Sequence, residues 1–158
     1  MAGYRWRNGK SLADQRMRWR IVPYRTEHAE SLRHVYRQAR QVAFSWVDPA
    51  LFQLADFDDV IQGETVLVAI QQENPVGFIA WWPPDNFVHS LFVSSEFSGK
   101  GIGKALLEAC LAEIERPATL KCVVANQPAL RFYQSMGWVP VEEGESPEGT
   151  YVLLRYNN

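Results

Sequence analysis

Long apolar runs are missing from this chain of 158 residues. The longest, such as Val66 to Ile70, have the length of a strand, whereas a membrane helix needs roughly 20 residues. A soluble protein without a membrane partner is therefore expected. The first residues also lack a charged start followed by an apolar stretch and a small-residue cleavage site, so no secretory signal is read and the expected location is cytoplasmic. Cysteine is scarce. Cys110 and Cys122 are the only two, and neither belongs to a CxxC pair or has a clustered histidine, which argues against a metal site and a disulfide framework. Both read as small buried hydrophobes in a reducing compartment.

Net charge is close to balanced at −2, but its distribution is uneven. Residues 1–40 hold ten Lys or Arg against three acids, and residues 41–158 hold six against fifteen. A basic end can attract nucleic acid, yet there is no aromatic stacking motif beside it, and a solvated arginine-rich face around the first strand and helix is the simpler reading. Nucleic acid is not the expected partner.

What is present is a hydrophobic fraction of 47%, enough for one domain with a real core. Residues 1–16 show no clear period and are read as an N-terminal extension, with a single domain over 17–158. Met17 opens the first strand. From Thr26, a capping residue, a helix is expected with Ala29, Leu32, Val35, Tyr36 and Ala39 on its buried face. A shorter helical pattern runs through Leu51, Phe52, Leu54, Ala55 and Val60. Thr65–Gln71 and Val76–Trp82 read as a hairpin, and Phe87–Val93 as a third central strand. A helix from Gly101 to Arg116, a strand from Leu120 to Ala125 and a helix from Asn126 to Met136 follow. Strands at Trp138–Val141 and Thr150–Tyr156 close the chain around an acidic loop, 142–149. The fold class is α/β: a mixed, mostly antiparallel sheet with helices on both faces and a ligand crevice where strand ends diverge.

The segment from Leu91 to Lys104 joins a buried strand to a helix N-terminus through Gly99, Gly101 and Gly103. Alternating glycines let the backbone approach an anion closely, and the unpaired N–H groups of the helix start point at it, which suits a pyrophosphate. Lys100 and Lys104 can add positive charge or be ordinary solvated lysines. A Mg-nucleotide P-loop would need glycine at Ser98 and a hydroxyl residue at Ala105, and a dinucleotide fingerprint would need glycine at Lys104 or Leu106. The segment fails both patterns.

It resembles instead the acetyl-CoA signature of the GNAT superfamily of N-acetyltransferases, in which a strand ending L-x-V leads into [Q/R]-x-x-G-x-[G/A] and a helix. Leu91, Val93, Gly101 and Gly103 match. Downstream, Asn126, Ala129, Phe132-Tyr133 and Gly137-Trp138 match the N-x-x-A-x-x-[FL]-Y-x-x-x-G-[FW] block of the same family. The departure is Ser98, where the family carries Gln or Arg; its hydroxyl can donate to phosphate but has a shorter reach and no charge.

The resemblance implies a GNAT-like acyl-CoA N-acyltransferase fold with acetyl-CoA as co-substrate and no metal. Its cofactor-binding residues would be Leu91, Phe92 and Val93, the turn Ser98, Gly99, Lys100, Gly101, Ile102, Gly103 and Lys104, together with Asn126 and Tyr133. Asn126 also reads as a helix N-cap with Pro128 in the first turn, and Tyr133 as part of a core-packing face. By resemblance the phenol of Tyr133 is the general acid beside the CoA sulfur. His89, on the strand leading to the turn, is the first candidate for the base that frees the amine, with Asp56, Asp58, Asp59, Asp85 and Glu64 as alternatives or as attractants for a cationic acceptor. Phe44, Trp46, Phe52, Trp81 and Trp82 are candidate walls of the acceptor pocket. The expected partner is an amine, small molecule or peptide, with a homodimer compatible. The expected reaction is direct acetyl transfer in a ternary complex; the alternative is a catalytically silent CoA-binding or interaction domain.

Overall fold

A computed structural model describes residues 19–158, together with the backbone of Trp6–Arg7 and Lys10–Ser11, which pair antiparallel with each other. The rest of the expected N-terminal extension, 1–16, and the expected strand start at Met17 lie outside the described residues.

Seven strands form one sheet: β1 (Trp19–Pro23), β2 (Thr65–Gln71), β3 (Asn74–Trp82), β4 (Phe87–Val93), β5 (Ala118–Val123), β6 (Val139–Ser146) and β7 (Gly149–Tyr156). Their spatial order is β1-β2-β3-β4-β5-β7-β6. Every neighbouring pair is antiparallel except β4 with β5. Among the described residues four α-helices accompany them: α1 (Ala29–Ala43), α2 (Asp56–Val60), α3 (Ile102–Leu111) and α4 (Gln127–Ser135).

The apolar run of β2 is divided by the two-residue period of a strand. Leu67 and Ala69 join Ile79, Trp81 and Val88 beneath Ile102, Leu106, Leu107 and Cys110 of α3. Val66, Val68 and Ile70 face the other way, with Phe78 and Ala80, against Leu32 and Tyr36 of α1 and Phe57 of α2. Both faces of the central strands are thus covered, as the mixed-sheet expectation required. A fully buried Leu or Phe contributes about 1.5–3 kcal/mol, and Leu32, Phe57, Phe78, Leu106 and Leu107 all lie at zero exposure.

Several boundaries differ from the sequence reading, by two residues at β3 (Asn74) and β5 (Ala118–Val123) and for a local reason at four others. Thr26 does not cap α1; it enters a 3-10 turn, Thr26–His28, and the Arg25 N–H donates to His28 Nδ1 at 3.0 Å. The pattern over 51–60 is split into a 3-10 turn, Pro49–Leu51, and the five-residue α2. Two carboxylates cause the split by capping local N–H groups, Asp48 that of Ala50 at 3.0 Å and Asp56 that of Gln53 at 2.9 Å. Helix α3 ends at Leu111 rather than Arg116, because the Arg116 guanidinium folds back on the helix end and donates to the carbonyls of Leu111 (2.9 Å) and Ile114 (2.7 Å). Most of the supposed acidic loop is strand: β6 continues to Ser146 as the edge of the sheet, its glutamates in solvent and its backbone paired with β7.

The feature that positions the site is a divergence. Strands β4 and β5 pair only at Phe87 with Thr119 and at Val88 with Leu120. Beyond them β4 stays with β3 as far as Val93 opposite Gly77, while β5 stays with β7 as far as Val123 opposite Tyr151. The register of β3 and β4 also shifts between Ala80 and Trp81, leaving His89 as an extra residue at the point of parting. Among the described residues the β5-facing edge of Leu91–Val93 therefore has no strand partner.

Candidate active site

At the open end of this divergence lies a cavity of about 560 Å³. Leu91 and Val93 of β4, the turn residues Phe97, Ser98, Gly99 and Gly101, the α3 residues Ile102, Gly103 and Lys104, and Pro128, Ala129, Phe132 and Tyr133 of α4 line it. The two sequence blocks that resembled a family signature, one before α3 and one in α4, thus form opposite walls of one cleft.

The turn has the geometry its glycines suggested. Gly99 and Gly101 have φ of 76° and 87°, the left-handed region that disfavours a side chain. A Cβ at Gly99 would meet nothing within 4 Å, so the backbone is open to the cavity side. Gly101 is the N-cap of α3 and has no side-chain hydrogen bond to offer. The first N–H groups of the helix are left to an external acceptor, at the positive end of its dipole. Ser98 departs from expectation: its hydroxyl donates to the Ser95 carbonyl at 3.1 Å, so its proton is directed into the turn rather than at a ligand. Lys104 lines the cavity, whereas the Lys100 ammonium sits 5.4 Å from the centre of the Phe97 ring.

Other sequence-selected residues fall outside the cavity lining. Phe92 points to the opposite face, with its ring 5.1 Å from that of Tyr36, so only its main chain is available to the cleft. Asn126 is the N-cap of α4, its Oδ1 accepting from the Ala129 N–H at 3.4 Å, with Pro128 in the first turn.

Tyr133 packs its ring against Phe132 at 5.2 Å and Trp138 at 6.1 Å while reaching the cavity. Burial, then the neighbouring thiols of Cys122 and Cys110, push its phenol well above the ordinary value. It is therefore a protonated donor at neutral pH. Burial raises the two thiols as well, Cys110 to about 12 and Cys122 to about 11, so neither presents a thiolate nucleophile.

His89 projects from the bulge of β4, and its Nδ1 lies 2.8 Å from Glu64 Oε1. The Glu64 side chain is 3% exposed and that of His89 44%. The other carboxylates separate clearly. Asp56 is held by Arg40 at 3.0 Å and Asp58 by Arg33 at 2.9 Å, while Asp59 and Asp85 are exposed on the surface.

The five candidate aromatic walls also divide. Phe44, Trp46 and Phe52 cluster after α1, with ring separations of 5.7 and 6.4 Å. Trp81 is core, and Trp82 lies against Gly63 at the far end of β3. Sequence reasoning missed Phe97 and Pro128 as cavity walls and gave Ala129 and Phe132 to the core. Their helical spacing was visible, but a face that packs and a face that borders a cleft have the same period. Among the described residues no group of three or more His, Cys, Asp or Glu could hold a metal ion, and no helix is long and apolar enough to cross a membrane.

The comparisons with known proteins agree with this architecture. The family model for the acetyltransferase (GNAT) domain matches residues 62–140, half of the chain, from the approach to β2 through α4. The solved PaiA N-acetyltransferase from Thermoplasma acidophilum, in complex with coenzyme A, superposes with a TM-score of 0.75 at 16% identity, covering 90% of this chain and 100% of that one. The ribosomal-protein-S18-alanine N-acetyltransferase from Escherichia coli gives 0.72 at 16% identity, with 89% and 94% covered. YncA from Salmonella typhimurium, solved with acetyl-CoA, gives 0.67 at 18%, with 88% and 93% covered. No curated protein matches the sequence significantly.

A mixed sheet parted between its fourth and fifth strands, with a glycine turn at the mouth of the gap, defines an acyl-CoA-type transferase fold. The chain belongs to the GNAT family of acetyl-CoA-dependent N-acetyltransferases.

Proposed function

We propose that residues 17–158 form one catalytic domain that binds acetyl-CoA in the β4–β5 cleft and transfers the acetyl group directly to a primary amine. The observation that carries this is the single cavity shared by the strand edge of Leu91–Val93, the glycine turn and Tyr133. Main-chain N–H groups from Gly99 to Lys104 hold the diphosphate, with Lys104 beside them. The unpaired edge of Leu91–Val93 takes the pantetheine arm as an added strand. With Ser98 turned inward, the diphosphate is held chiefly by backbone.

In the reaction the amine nitrogen bonds to the thioester carbon, and the carbon–sulfur bond then breaks. A β4 N–H, that of Val93 in this reading, steadies the carbonyl oxygen as it gains charge. The Tyr133 phenol, kept protonated by its burial, gives its proton to the departing sulfur. The His89 imidazole accepts the proton lost by the amine. No cysteine takes part covalently.

Two measurements test the reading. Titration calorimetry with CoA should show binding that is lost on mutating the turn, and thiol release from acetyl-CoA should depend on an added amine. Binding without turnover across small amines, amino acids and peptides would favour the silent CoA-binding alternative. Absence of CoA binding would overturn both.

A further inference from the structure

An imidazole that accepts the amine proton at His89 must be held in one orientation and one tautomer. The structure supplies a partner from a distant part of the chain. Glu64 precedes β2, 25 residues from His89 in sequence, and its buried carboxylate places Oε1 2.8 Å from Nδ1. The Phe87 ring, 4.5 Å from the imidazole and steeply tilted to it at 70°, packs against the histidine from the same strand. The bulge puts His89 at the apex of the gap, immediately after the last β4–β5 pair at Val88.

A buried carboxylate is an acceptor only and needs a donor to offset its lost hydration. Among the hydrogen bonds described for the side chain of Glu64, the imidazole is that donor. The Nδ1 must then carry the hydrogen in the neutral ring, which leaves the Nε2 lone pair free.

We propose that Glu64 is a positioning residue for the acetyl transfer. By accepting a hydrogen bond from Nδ1–H it fixes His89 in the Nδ1–H tautomer and leaves Nε2 bare on a residue that sits where β4 and β5 part. The inference rests on His89 being the proton acceptor, and it extends that reading to the residue that makes the imidazole competent. Without Glu64 the ring can rotate and exchange tautomers, so a smaller fraction has an unprotonated nitrogen facing the amine.

The test combines kinetics with the tautomer itself. With acetyl-CoA and spermidine, lysine or an alanyl peptide as acceptor probes, Glu64→Leu, which removes the acceptor, should lower kcat by about tenfold or more, with acetyl-CoA affinity within about twofold of the original by calorimetry. His89→Ala should fall at least as far, and the double variant should be no slower than His89→Ala, because Glu64 acts only through the ring. Long-range ¹H–¹⁵N spectra of the unmutated protein should show neutral His89 carrying its hydrogen on Nδ1.

The outcomes separate the two readings. If His89→Ala turns over normally, the base assignment fails, and the positioning role with it. If His89→Ala is slow while Glu64→Leu is not, only the role of Glu64 fails. A neutral His89 with its hydrogen on Nε2 overturns the proposal without any variant, so a poorly folding Glu64→Leu protein does not shield it.

Discussion

The indole Nε1–H of Trp46 donates to the main-chain oxygen of Glu148 at 2.9 Å, tying the segment after α1 to the β6–β7 turn across 102 residues of sequence. The two elements belong to opposite halves of the sheet, and the gap between β4 and β5 lies between those halves. Trp46 is itself half exposed and rests edge-on against Phe44. This bond links the two halves by way of the segment after α1, outside the residues that line the cavity. Trp46→Phe keeps the ring and removes the donor, a loss of about 1 kcal/mol. KM for the amine should rise about fivefold while CoA affinity stays unchanged by calorimetry.

Tyr133→Phe removes one oxygen from a ring that keeps its packing on Phe132 and Trp138. The expected result is kcat reduced by about 100-fold with little change in CoA dissociation constant or melting temperature. Equal turnover in rapid-mixing thiol-release assays would remove the acid role from this residue.

Gly101→Ala tests the turn. At φ of 87° a side chain is strained by about 1–2 kcal/mol, although its Cβ would approach Trp19 no closer than 3.7 Å. The variant should fold with a modestly lower melting temperature. Its CoA affinity should drop about tenfold or more, since the N–H groups at the start of α3 must shift.

Gly77→Ala probes the wall from behind. Its Cβ would stand 2.9 Å from the Phe92 carbonyl oxygen, a backbone atom that moves only if β3 and β4 separate. A destabilisation of about 2–3 kcal/mol is expected, read by denaturant unfolding. Because Gly77 lies opposite Val93, CoA binding should weaken too.

Acid should act through α2. The Gln53 N–H and then the Arg40 guanidinium hold the Asp56 carboxyl below its usual range, and Arg33 does the same for Asp58. A depressed carboxyl adds stability that is present above the unfolded value, near 3.9, and is lost as pH falls through the lower folded value. Asp58→Asn should therefore melt below the unmutated protein at pH 7 and converge with it toward about pH 2–3. A constant gap in melting temperature across that range would contradict the assignment.

The sequence by itself settled the local chemistry. The strand run of β2, the 3.6-residue face of α1 from Ala29 to Ala39, the glycines before α3 and the Asn126–Pro128 start of α4 are set by neighbours within a few residues, and all appear where the pattern placed them. Boundaries fared worse where a side chain reached further, as when Arg116 stopped α3 or β7 drew acidic residues into β6.

Only the tertiary structure decided which of the selected residues meet. Phe92 turned to the α1 face, Ser98 directed its hydroxyl into its own turn, and Glu64 left the pool of carboxylates to sit against His89. The reason is that the cleft comes from two strands ceasing to pair after Val88. Pairing is a relation between distant segments, settled when both sheet faces are packed, and no window of the sequence contains both partners.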